Sequence, residues 1–118
     1  MTRGELYRSA HAAPERGDKP GYYVVVGRAF VAENDRISTV MCAPVYTEVL
    51  GIPTEVVLEP VDGVRHRSAV RCDFMMLMFK KNLSRFVGRL GEVRLAELDR
   101  ALAIALDLPV AYDARNPT

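Results

Sequence analysis

The chain has only two cysteines, Cys42 and Cys72, and neither has a second Cys or a His at metal-ligand spacing. That argues against a structural zinc module. Each thiol lies in an apolar, β-rich run, so two reduced core thiols are expected, with a disulfide between them left open. No secretory leader is recognisable and no apolar run approaches the ~18 residues of a membrane span, so the expectation is a cytoplasmic protein with no membrane contact. Net charge is nearly absent, +1 from 16 Lys and Arg against 15 Asp and Glu. Any attraction for nucleic acid must therefore come from a local patch and not from a global field. There is also no internal repeat, no glycine-rich phosphate loop and no Ser, His and Asp order, which removes solenoids, P-loop enzymes and triad hydrolases from consideration.

What is present suits one compact domain over residues 1–118, 49% hydrophobic and 26% charged, with enough apolar material for a core. The basic residues gather in the middle: Arg65, His66, Arg67 and Arg71, then Lys80, Lys81, Arg85 and Arg89. Such a run is either a solvated face or an anion-binding patch.

In order, Arg3-Gly4-Glu5-Leu6-Tyr7 opens a strand, and residues 9–21 hold Pro14, Gly17, Pro20 and Gly21, which break regular structure. A loop of that length without structure of its own makes His11, Glu15, Arg16, Asp18 and Lys19 candidates for ligand contact or gating, or else a surface tip. Residues 22–26, Tyr-Tyr-Val-Val-Val, read as a strand buried on both faces. Residues 29–36 read as a polar-tipped connection turning at Asn34-Asp35, and residues 37–45 as the next strand, with Pro44 at its end or on an edge. Residues 54–59 form a half-exposed strand, and Pro60-Val61-Asp62-Gly63 a turn. A strand follows over residues 68–73. Residues 74–79, Phe-Met-Met-Leu-Met-Phe, read as a core strand or as an apolar face kept open for a partner. After a last strand near residues 86–90, Leu95, Leu98, Leu102, Ala105 and Leu106 recur every three or four residues, the stripe of an amphipathic helix over residues 92–106 that Pro109 closes. Five to seven strands and a C-terminal helix imply a small, strongly curved antiparallel sheet or barrel.

Arg71 and Asp73 stand two apart on the expected strand and so share a face. A guanidinium fits phosphate oxygens and a carboxylate can accept a hydroxyl proton, so the pair can work on a phosphate ester. It is equally the composition of a strand-end salt bridge.

Five blocks taken in order resemble the MazF/PemK toxin family, over nearly the whole chain. They are Arg3-Gly4-Glu5-Leu6; Lys19-Pro20 ahead of Tyr23-Val24-Val25-Val26; Thr39-Val40-Met41-Cys42-Ala43-Pro44-Val45; Ser68-Ala69-Val70-Arg71-Cys72-Asp73; and Val87-Gly88-Arg89-Leu90 leading into Leu98-Asp99-Arg100-Ala101-Leu102. The resemblance implies an SH3-like barrel, a homodimer, and a sequence-selective endoribonuclease whose RNA groove a cognate antitoxin covers. It implies metal-independent attack of an RNA 2′-hydroxyl on its own phosphate, with no cofactor. By position, Asp73 would be the base, Arg71 would hold the phosphate and assist the leaving oxygen, and His11 would correspond to a loop histidine. Glu5 and Thr47 fall at positions of RNA contact, and Lys19, Tyr46 and Arg67 join them as candidate RNA-binding residues. Many relatives carry Arg-Pro before the second strand and Thr after the third; here Lys19-Pro20 and Tyr46 stand there, with Thr47 one residue later. Alternatives from other classes are a gyrase-binding toxin like CcdB, and a degenerate homologue in which Arg71 and Asp73 are only a salt bridge.

Overall fold

The computed structural model describes residues 1–9 and 21–109. Among these, the elements are β1 (Glu5–Ser9), β2 (Gly21–Val25), α1 (Ala29–Ala32), β3 (Thr39–Tyr46), β4 (Glu55–Leu58), β5 (Ser68–Arg71), β6 (Met76–Phe79), β7 (Arg85–Arg89) and α2 (Glu92–Ala105). The strands make one curled antiparallel sheet in the order β4-β5-β3-β2-β1-β7, with β6 also paired to β3. This half-barrel with a C-terminal helix is the architecture expected from the strand and helix patterns. His11 and Lys19, with the rest of residues 10–20, and the tail from residue 110 lie outside the described residues.

The core has two parts, because β2 and β3 are buried on both faces. Alternate residues of β2 feed different clusters: Val24 packs with Leu6, Val70, Leu58 and Leu98, while Tyr23 and Val25 pack with Val40, Cys42 and Met78. Period-2 alternation in a strand of β-branched and aromatic residues produces this division. The two cysteines are free thiols and fall one in each cluster. Burial pushes both up to about 12, which leaves them protonated and inert.

Helix α2 closes the first cluster with Leu98 and Ala101, and Leu95, Leu102 and Ala105 pack around them. Leu106, expected in this stripe, is instead 54% exposed, because it is the cap residue where the chain leaves the helix. At the other end, Gly4 has a φ of 88°, and a Cβ there would collide with Leu95, so β1 enters against the helix only through glycine.

Three further expectations change. Residues 29–36 contain the short helix α1, whose Ala32 enters the second cluster. Lys80 Nζ donates to the carbonyl oxygens of Val31 and Asn34 at 2.6 and 2.8 Å, adding to the backbone donors of Asn34 and Ile37 at this helix end and withdrawing that lysine from the basic run. The stretch 74–79 divides between its two readings: Met78 is buried, but Leu77 and Phe79 on the other face of β6 are 65% and 54% exposed. Pro44 is neither terminal nor on an edge strand. It sits fully buried within β3, opposite Tyr23 of β2.

Candidate active site

Pro44 explains how the site is built. Met41 turns its carbonyl toward β2, accepting from Val26 and Gly27, so by alternation residue 44 would point its N–H to the other side, toward β5 and β6. On that side β6 pairs with Thr39 to Cys42 and β5 with Val45 and Tyr46, so the ladder changes strand beside Ala43 and Pro44. A residue with no N–H fits a place where no partner accepts one. There the chain passes from β5 to β6 through a tight 3-10 turn, Cys72–Phe74. The strand expected over residues 68–73 therefore ends at Arg71, and Asp73 lies on the turn, not on the same strand face.

The turn brings the two side chains together. Arg71 Nε donates to Asp73 Oδ1 at 2.9 Å and Nη2 to Oδ2 at 2.7 Å, a bidentate fork. The Arg71 guanidinium lies 4.5 Å from the centre of the Phe74 ring, and Phe74 meets Tyr46 edge-on at 6.2 Å. These residues, with Glu48 and Met75, line an open cleft of about 570 Å³.

The hydrogen bonds from Arg71 hold the Asp73 carboxyl below its ordinary value, outweighing burial, and the Thr54 hydroxyl adds to the effect. The same contact raises Arg71, whose charge also feels Glu55. At neutral pH the cleft thus holds a fixed cation against an ionised carboxylate. A guanidinium has five N–H donors, and the fork to Asp73 uses two of them, which leaves a second edge for phosphate oxygens. Among the described residues no group of three His, Cys, Asp or Glu is placed to hold a metal ion.

Glu55 is a residue that spacing could not reveal. It lies directly opposite Arg71 in the β4–β5 ladder, a relation that exists only once register is known. Its Oε1 accepts from the amides of Gly51 at 2.7 Å and Ile52 at 3.1 Å, and its Oε2 from Leu50 at 2.9 Å. Burial pushes its carboxyl up, but these donors and Arg71 outweigh that and hold it low. Glu55 so pins the segment leading to Thr54, which touches Asp73.

Of the other sequence candidates, Tyr46 lines the cleft and Thr47 the cavity beyond it. Arg67 lies outside both and pairs with Glu59 at 3.3 Å. Glu5 does not line the cleft: it sits at the far end of β1, accepting from Thr2 N at 2.6 Å and Tyr7 Oη at 3.0 Å. Burial, with the Glu5 contact, pushes the Tyr7 hydroxyl up to about 12.

A curled sheet whose cleft sets an arginine and an ionised carboxylate edge to edge defines a small β protein equipped to hold an anion beside a proton acceptor. A family model described as PemK-like, MazF-like toxin of type II toxin-antitoxin system matches residues 2–106. The probable endoribonuclease MazF5 of Mycobacterium tuberculosis is 35% identical over 106 residues, 89% of this chain and 92% of that one. Among solved structures, M. tuberculosis toxin MazF-mt6 superposes with a TM-score of 0.76 at 28% identity, covering 89% of this chain and 98% of that one. A mycobacterial endoribonuclease in complex with its cognate antitoxin also gives 0.76, at 26% identity, covering 92% and 97%. The chain belongs to the PemK-like, MazF-like family of type II toxin-antitoxin toxins.

Proposed function

We propose that this protein is a cytoplasmic, sequence-selective endoribonuclease toxin, a single domain that cuts single-stranded RNA, restrains growth and is neutralised by a cognate antitoxin covering the cleft. The observation that carries the proposal is the Arg71–Asp73 fork in an open, aromatic-walled cleft. Membership of the toxin family and likeness to named endoribonucleases support it.

In this reading a scissile phosphate docks on the free edge of Arg71, and a neighbouring base stacks against Tyr46 or Phe74. The phosphate's negative charge beside Asp73 raises that carboxylate's depressed pKa, so the base strengthens as substrate arrives. Asp73 takes the 2′-hydroxyl proton, the 2′-oxygen bonds to phosphorus, and the bond to the 5′-oxygen breaks. Arg71 stabilises the charge growing on the phosphoryl oxygens. Its raised pKa suits that role better than proton donation, so the 5′-oxygen takes its proton from His11 or from solvent. The products are a 2′,3′-cyclic phosphate and a 5′-hydroxyl. The guanidinium supplies the positive charge, so the reaction calls for no metal. The exposed Leu77 and Phe79 of β6 offer an apolar surface for the second copy of a homodimer.

The test is incubation of the purified protein with a long unstructured RNA in chelator, beside Asp73→Asn. Discrete cuts bearing 2′,3′-cyclic phosphate, absent with the variant, are the expected result. Intact RNA from a folded protein would refute the proposal.

A further inference from the structure

Of the central run of basic residues, Arg67, Arg71 and Lys80 are engaged by partners. Among the described residues Arg65 and Arg85 form no ion pair, and the fold brings both to Arg8, far away in sequence. Arg8 on β1 stands directly opposite Arg85 on β7 and opposite Tyr22 on β2, with its guanidinium 5.8 Å from the Tyr22 ring centre. Like charges directly opposed across a ladder destabilise a sheet. No carboxylate among the described residues forms an ion pair with Arg8, Arg65 or Arg85.

These arginines line a trough along one rim of the sheet, where β1 ends and β2, β5 and β7 begin. A cavity of about 280 Å³ is bounded by Arg8, Tyr22, Tyr46, Thr47 and Arg65, and one of about 360 Å³ by Arg8, Tyr22, Arg65, Arg85 and Phe86. Three shared residues make them continuous, and Tyr46 joins the first to the Arg71–Asp73 cleft. No acidic residue among those described lines either cavity. Phe86, 55% exposed with its ring set edge-on to Tyr7, adds an aromatic surface.

We infer that this trough is a substrate track, in which Arg8, Arg65 and Arg85 hold backbone phosphates of the RNA flanking the cut while Tyr22 and Phe86 offer faces for its bases. The inference rests on the ribonuclease reading of the cleft. It accounts for a charge cluster that costs stability and has no carboxylate partner among the described residues: a strand with one negative charge per nucleotide neutralises it. Alternation of guanidinium and aromatic surfaces is what single-strand binding uses. A merely solvated basic face would need neither concavity nor continuity with the cleft.

The test is anisotropy titration of a labelled, uniformly 2′-O-methylated single-stranded RNA, which cannot be cut by its own 2′-oxygen, over a range of salt concentrations. Arg65→Ala and Arg85→Ala are compared with wild type and with Arg36→Ala, an exposed arginine outside the trough. Each trough variant is expected to weaken binding severalfold and to flatten the slope of log affinity against log salt by about one. Arg36→Ala should do neither. Replacing Arg85 relieves a repulsion, so loss of fold is not expected there, and circular dichroism checks it. Wild-type binding with unchanged affinity and slope in both trough variants overturns the track and leaves the ribonuclease reading standing. A wild type that neither binds this RNA nor cuts an unmodified one overturns both. Binding of a polyglutamate peptide without binding of RNA also overturns the track.

Discussion

Among the described residues, two arginine–aspartate pairs are similarly buried, unlike the more exposed Arg3–Asp99, and only one of the two has the form of a site. In the pair Arg94–Asp62 the side chains are 24% and 13% exposed; in Arg71–Asp73 they are 14% and 30% exposed. Arg94 reaches Asp62 with one nitrogen at 3.2 Å and Glu97 with another at 3.0 Å. Asp62 Oδ2 meanwhile accepts from the Glu59 amide at 2.8 Å in the capping box of the turn Pro60–Asp62, which Gly63 ends in the left-handed region. Every strong group there has a structural task, tying α2 to a turn. Asp73 instead faces a cleft, and its arginine keeps an unused edge. Burial and pairing alone do not tell the two pairs apart; an unused guanidinium edge beside open volume does.

Substitutions in the two pairs should therefore diverge. The largest effect is expected for Asp73→Asn, which removes the proton acceptor and should lower RNA cleavage about 10³-fold or more. Next is Arg71→Ala, with a loss in kcat of about 10²- to 10³-fold from missing charge stabilisation. Arg71→Lys should recover only part of that, because an ammonium cannot hold a carboxylate and a phosphate on two edges of one plane. Both are read by initial rates on a defined RNA. Equal activity in Arg71→Lys and wild type would reduce the guanidinium to a point charge.

The counterpart is Asp62→Ala. It should leave cleavage at the wild-type rate yet lower unfolding free energy by about 1–3 kcal/mol, since it removes a cap and leaves Arg94 half-paired. Denaturant melts of the two alanine variants, Asp62→Ala and Arg71→Ala, make the comparison direct. Cleavage lost with Asp62→Ala in a folded protein would mean that the turn helps to shape the cleft, and the distinction would fail.

Much of this was legible from residues alone. Alternation marked the strands, three-and-four spacing marked α2, and Arg71 with Asp73 was visible as a pair able to handle a phosphate. What escaped were relations that only the sheet creates. Pro44 suggested a strand end because proline removes a donor, whereas the fold uses the missing N–H where the ladder passes from β6 to β5. Asp73 could not be placed on a turn without that break. Glu55 opposite Arg71, and Arg8 opposite Arg85, are products of register between distant segments. The helix α1 is too short for periodicity to announce, and is held by Lys80 from across the chain.

The smallest expected effect concerns how the Arg71–Asp73 pair contributes to stability. Because Arg71 depresses the pKa of Asp73 in the folded protein, the unfolded chain binds that proton more readily. The contribution is then present in full above the unfolded-state carboxylate pKa and is lost as pH falls through the lower folded-state value. The pair borders solvent, so its contribution is about 1 kcal/mol or less. Thermal melts of wild type and Asp73→Asn should differ most near neutrality, with wild type more stable, and should converge in acid. Arg94→Ala against wild type sets the scale for a tether without a cleft. If the gap at Asp73 stayed constant with pH, charge would not be what holds the turn, and the unspent edge of Arg71 would lose its significance as the mark of a reactive pair.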